Sequence, residues 1–130
     1  MIATKNVKQN VVFDASPHEV YELLMDEKKH ALFTGAKAKI SKKVGESFSA
    51  YDGYIVGKNV ELVPDKKIVQ LWRASDWQKG YFSIVTFVLK EKKGKTELTF
   101  VHEGVPVECV EDISQGWKDH YWERMKEALK

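Results

Sequence analysis

The spacing of apolar and polar side chains changes character three times along the chain. From Val7 to Asp14, Val7, Gln9, Val11 and Phe13 alternate with Lys8, Asn10, Val12 and Asp14, which predicts a first strand stopping at Ala15. Ser16-Pro17-His18-Glu19 follows, with a capping serine, a proline at the first helical position and a glutamate three residues after the cap. A helix with Val20, Leu23 and Leu24 on its apolar face is predicted there, then a second short helix capped by Asp26, with Leu32 and Phe33 inward and Gly35 as its stop. The pattern then shifts to runs of period two, punctuated by Gly45, Asp52-Gly53, Pro64-Asp65, Gly80 and Lys93-Gly94. These predict strands at Ala36–Ser41, Glu46–Tyr51, Tyr54–Val63, Lys67–Ser75, Tyr81–Glu91 and Lys95–Glu103, which with the first strand makes seven. Phe82 to Leu89 is apolar on both faces and is therefore assigned to the middle of the sheet. After Pro106 the period returns to 3.6, with Val110, Ile113, Trp117, Tyr121, Met125 and Ala128 on one side. A single amphipathic helix from about Val107 to Leu129 would reach roughly 30 Å and cover one face of the sheet.

Composition narrows the function classes. A chain of 130 residues that is 43% hydrophobic and 31% charged fits one globular core, and no linker or repeat divides it, so one domain over residues 1–130 is expected. No apolar run approaches the roughly 20 residues of a membrane span, and Met1 to Asn10 lacks the apolar stretch of a secretory signal; a cytoplasmic location and no membrane partner are expected. The formal charge is +2 and the lysines are scattered, which does not favour nucleic acid. Lys90, Lys92, Lys93 and Lys95 surround Gly94 and read as a solvated hairpin tip.

Certain residues go beyond pattern. Val63-Pro64-Asp65-Lys66-Lys67-Ile68-Val69, then Trp72-Arg73, Trp77, Gly80 and Phe82, are followed by Thr96-Glu97-Leu98, Gly104-Val105-Pro106, Gln115-Gly116-Trp117 and Tyr121. In order and spacing, from about Val11 to Leu129, this set resembles the homologous C-terminal domain of the activator of the heat-shock protein 90 ATPase, an AHSA-type domain. That family lies within the START-like (SRPBCC, birch-pollen-allergen-like) helix-grip superfamily. The resemblance implies an α+β helix-grip fold: a curved antiparallel sheet of about six to seven strands wrapped on a long C-terminal helix, with two short helices after the first strand. It also implies a co-chaperone-like module that binds the chaperone's dimerised N-terminal domains without performing chemistry. In two-domain activators a separate N-terminal domain makes the main contact to the chaperone's middle domain, so binding rather than ATPase stimulation is the expectation here.

The rival reading is a carrier or sensor of a small apolar molecule held between the last helix and the sheet. Its lining candidates are Phe33, Leu98, Phe100, His102, Trp117, Tyr121 and Met125, because Leu98, Phe100 and His102 share one strand face and the others lie on inward helix positions. His102 is then either a polar anchor for a ligand or a histidine satisfied by a backbone carbonyl at the rim. Four tryptophans are many for one small core, so Trp77, between two strands, and Trp122 are candidates for a partner surface; the alternative for Trp77 is a loop pinned down by its own ring. Gly116, inside the helical pattern, marks a close approach, a ligand or a kink. Cys109 in the first helical turn would have a lowered thiol pKa, yet no histidine is tied to it by spacing. His120 and Glu123 read as an ion pair rather than a metal site, and neither a cofactor, a metal nor any catalytic residue is assigned.

Overall fold

A computed structural model describes residues 2–130; Met1, the start of the stretch read for a signal segment, lies outside them. Strand β1 (Thr4–Phe13) leads into α1 (Pro17–Met25), where the Ser16 side chain accepts from the Glu19 amide and the Glu19 side chain returns to the Ser16 amide. Asp26 caps α2 (Glu27–Thr34) by accepting from the Lys29 amide, and Gly35 closes it in the left-handed conformation, φ 75°. These local signals are sufficient to set both helices, because each satisfies backbone groups that a helix end leaves open.

The sheet follows as β2 (Ser47–Ala50), β3 (Ile55–Val63), β4 (Lys67–Ala74), β5 (Ser83–Lys92) and β6 (Lys95–Pro106), all antiparallel, in the order β1-β6-β5-β4-β3-β2. The expected seventh strand is corrected: Ala36–Ser41 touches the sheet only through an isolated bridge between Lys39 and Ser49. Its apolar residues are only half buried, and its carbonyls are not aligned in a ladder: Lys37 O takes the Asp52 amide of the following turn and Ser41 O the Asn59 side chain at 2.7 Å. β5 lies inside the sheet as expected, but one face only is covered: Val85, Phe87 and Leu89 are buried, whereas Ile84 is 40% exposed on the convex side.

The C-terminal helical run is underwound. A 3-10 turn (Val107–Cys109) precedes α3 (Val110–Trp117), a π turn (Lys118–Trp122) and α4 (Glu123–Ala128). The extra residue in the π turn rotates the following side chains, so that Trp117, Tyr121, Trp122 and Met125 all face the sheet. Two expectations fail for this reason and a related one. Trp122 is 3% exposed, packing on Phe100 and donating its indole N–H to Gln9 Oε1 at 2.6 Å. Leu32, expected inward, is 83% exposed because α2 turns Phe33 and His30 to the core instead.

Candidate functional site

Under the helix the space is largely occupied. Leu98, Phe100, His102 and Met125 are wholly buried, and Phe100 meets Trp117 at a centroid distance of 4.5 Å. Strand parity correctly puts Leu98, Phe100 and His102 on one face, but that face seals the core rather than lining a chamber. What remains inside is a void of about 20 Å³ among Leu24, Met25, Phe48, Phe87 and Trp117, room for one water. The rival reading needs a deep chamber between helix and sheet, and that space is a packed interior, since large aromatic rings fill it.

His102 sits within this interior and not at its rim. Trp117 Nε1–H donates to its Nδ1 at 3.1 Å, so the proton of the neutral ring is on Nε2, which donates to Ser83 Oγ at 2.7 Å. The Ser83 hydroxyl in turn donates to the Trp72 carbonyl at 2.7 Å. Both ring nitrogens are thus hydrogen-bonded, and burial pushes the His102 pKa down to about 3, so the ring is a neutral structural bridge. His30 is similar: its Nε2 lies 3.0 Å from the Tyr121 hydroxyl, its Nδ1 is buried without a partner, and burial lowers its pKa to about 4.

Open space begins at the edge of this core. A cleft of about 450 Å³ lies between α3 and the 3-10 turn Tyr51–Gly53 that joins β2 to β3. Trp72, Trp117 and Tyr121 form its floor, Tyr51, Tyr54 and Ile113 its walls, and Asp112, Gly116 and His120 its lip. Of the seven lining candidates from sequence, only Trp117 and Tyr121 reach this space. Phe33 packs on Tyr121 from the other side, at 5.7 Å, and faces a separate groove beside Leu23 and Leu129.

The cleft is built from unfavourable backbone held in place by specific bonds. Tyr51 and Asp52 have φ of 51° and 57°, a region costing L residues about 1 kcal/mol or more each. Asp52 is kept there by Lys37, whose amide donates to Asp52 Oδ1 at 2.8 Å while Lys37 O accepts the Asp52 amide at 3.0 Å. The Tyr51 hydroxyl donates to His120 O at 2.8 Å, bracing the π turn, and burial raises its pKa to about 12. Gly116 has neither a positive φ nor a close neighbour: an added Cβ would meet only the His120 ring, at 3.9 Å. By contrast Gly57 is required, because a Cβ there would fall 1.9 Å from Leu71 O and 2.4 Å from the Phe48 ring.

Trp77 is 8% exposed, with its ring 5.4 Å from Trp72 and its carbonyl accepting from Arg73 Nη2 at 2.8 Å. The partner-surface role for Trp77 and Trp122 is thus corrected, and one core does contain all four tryptophans. The Cys109 thiol is pushed up, not down, first by burial and then by the Glu108, Asp76 and Asp112 carboxylates. Glu123 pairs with Lys126 at 3.9 Å, while His120 packs on Tyr51 at 5.7 Å. Among the described residues no three His, Cys, Asp or Glu side chains group to hold a metal, and no helix is long and apolar enough to cross a membrane. Sequence reasoning missed Tyr51, Tyr54, Ile113 and His120 as neighbours; the Asp52-Gly53 turn and the glycine at 116 were the available signals.

Comparison with known proteins adds to this geometry. Residues 14–130 match the family described as "Activator of Hsp90 ATPase homolog 1-like protein". The chain is 33% identical over 128 residues to "Activator of 90 kDa heat shock protein ATPase homolog 1" of Homo sapiens, covering 98% of this chain and 38% of that protein. It is 35% identical over 127 residues to the corresponding homolog of Dictyostelium discoideum, 97% of this chain and 33% of that one. The chain thus spans well under half the length of the curated relatives it matches. For the fold, a crystal structure of an HSP90 activator from Plasmodium falciparum superimposes with a TM-score of 0.91 at 23% identity, covering 98% of this chain and 96% of that one. The solution structure of the Aha1 dimer from Colwellia psychrerythraea gives 0.83 at 17% identity, with 96% of each chain covered. With its helix-grip sheet, its three-part C-terminal helical run and a family match from residue 14 to the last residue, the chain belongs to the Activator of Hsp90 ATPase homolog 1-like family.

Proposed function

We propose that this chain is a non-enzymatic, cytoplasmic binding module that docks on the heat-shock protein 90 ATPase through the surface where α3 meets the Tyr51–Gly53 turn. The observation that carries this reading is the cleft itself: a surface-opening aromatic hollow beside a sealed core, on a chain similar to proteins named as activators of that ATPase. His30 and His102 are buried and hydrogen-bonded within the core, and of the four histidines only His120 lines the cleft, at its lip, which favours recognition over chemistry.

Calorimetric titration of full-length chaperone with this chain, with and without a non-hydrolysable ATP analogue, tests the proposal. Binding at tens of micromolar or tighter, strengthened by nucleotide, is expected. No heat and no complex at about 100 μM, where a contact would carry less than about 5.5 kcal/mol, would overturn it.

A further inference from the structure

One carboxylate lines the cleft and a second is bonded to its wall. Asp112 stands at the lip, and Asp76 accepts a hydrogen bond from the Tyr54 hydroxyl of the wall at 3.0 Å; both carboxylates, with Glu108, raise the pKa of the neighbouring Cys109 thiol, whose largest shift comes from burial. The ion pairs of the described residues engage other carboxylates, namely Asp65, Glu22, Glu61, Glu97, Glu123 and Glu127. Arg124, whose charge acts on Tyr51 of the wall, donates to the Thr34 carbonyl at 3.2 Å. Five aromatic rings, of Tyr51, Tyr54, Trp72, Trp117 and Tyr121, therefore surround a hollow whose lip is negative.

An anionic guest would be repelled at the lip, and a purely aliphatic one would desolvate Asp112 without pairing it. A cation on an apolar stem satisfies both parts, since ring faces attract it and carboxylates hydrogen-bond it. A volume of about 450 Å³ takes one long side chain and an apolar neighbour. Gly116 leaves the lip open although neither φ nor packing demands glycine there. We infer that this cleft is the anchor pocket for the protein partner, and that its occupant is an arginine or lysine side chain carried beside an apolar residue on an exposed segment of that partner. The inference rests on the proposed docking function for which protein is bound, and on the cleft for what is recognised.

The test has two arms. In the first, the dipeptide amides acetyl-Arg-Phe and acetyl-citrulline-Phe are titrated to 10 mM against the isotope-labelled chain. The arginine peptide is expected to shift Ile113, Gly116 and the Trp117 indole, and the citrulline peptide to bind about tenfold more weakly. No shifts, or equal shifts with both peptides, overturn the inference. In the second, Asp112→Asn and Gly116→Val are compared with the wild type for chaperone binding, near-ultraviolet dichroism confirming the fold. A loss of about tenfold or more in both supports the anchor, whereas wild-type affinity in folded variants overturns it while leaving the docking function standing. If the wild type itself does not bind the chaperone, the docking function falls and the peptide arm alone decides the pocket's chemistry.

Discussion

The two halves of the interface between the C-terminal helical run and the sheet are made of similar residues and put to opposite uses. Toward α4, Phe13, Phe100, Trp122 and Met125 interlock with rings at edge-on angles, and Trp122 and Gln9 pair their polar atoms. Toward α3, Tyr51, Tyr54, Trp72 and Trp117 stand around an open cleft, on a turn with two non-glycine residues at positive φ and beside a π turn. The sealed half maximises contact and stability; the open half retains strain, a glycine without steric cause and unpaired carboxylates. Tyr51 and Asp52, two of the four non-glycine residues at positive φ among the described residues, adjoin the cleft, and such strain beside an open site fits a surface kept for recognition.

The comparison is broken most severely by emptying the sealed half. Trp122→Ala should destabilise the chain by about 3–5 kcal/mol, because it opens a large cavity and leaves Gln9 Oε1 without its donor; urea unfolding would measure it. Acid acts on the same half. His30 and His102 have folded pKa values near 4 and 3, below the ordinary 6.5, so their contribution is complete above about pH 6.5 and is lost as pH falls toward those values. The unfolded chain then binds the extra protons, and stability should fall by roughly 1.4 kcal/mol per pH unit for each histidine between pH 6 and 5. His102→Gln should flatten that slope in paired urea titrations by about half.

Gly57→Ala should cost about 1–3 kcal/mol, because its Cβ has no space against Leu71 O and the Phe48 ring, whereas Gly116→Ala should stabilise by up to about 1 kcal/mol. Opposite signs for two glycine-to-alanine changes in thermal melts would separate a glycine needed for packing from one that leaves a cleft open. The smallest effect is expected from Tyr51→Phe, which removes one hydrogen bond to His120 O, about 1 kcal/mol, and loosens the π turn; broadened amide signals over Lys118–Trp122 would report it.

Most of the frame was legible in sequence because it is set locally. The capping box at Ser16, the Asp26 cap, the Gly35 stop and the period-two runs of β3 to β6 each satisfy or pattern the backbone by themselves. The site was less legible for a physical reason. A π turn inserts one residue into a 3.6 period, which no average over the helix registers, and it alone decides that Trp122 faces inward. Parity identified which side of β6 faces the helix but not whether side-chain volume fills the space, so Leu98, Phe100 and His102, which the rival reading takes as a ligand lining, are core. Tyr51 and Tyr54 join Ile113 through long-range contact across the cleft, and only the Asp52-Gly53 turn and Gly116 hinted at an unusual place.

The central claim is that the open half is the docking surface. Amide spectra of the labelled chain, titrated with unlabelled full-length chaperone, test it most directly. Attenuation concentrated at Tyr51–Ile55 and at Ile113–His120 is predicted. Attenuation confined to the convex sheet face around Leu71 and Ile84, or none at all, would contradict the account.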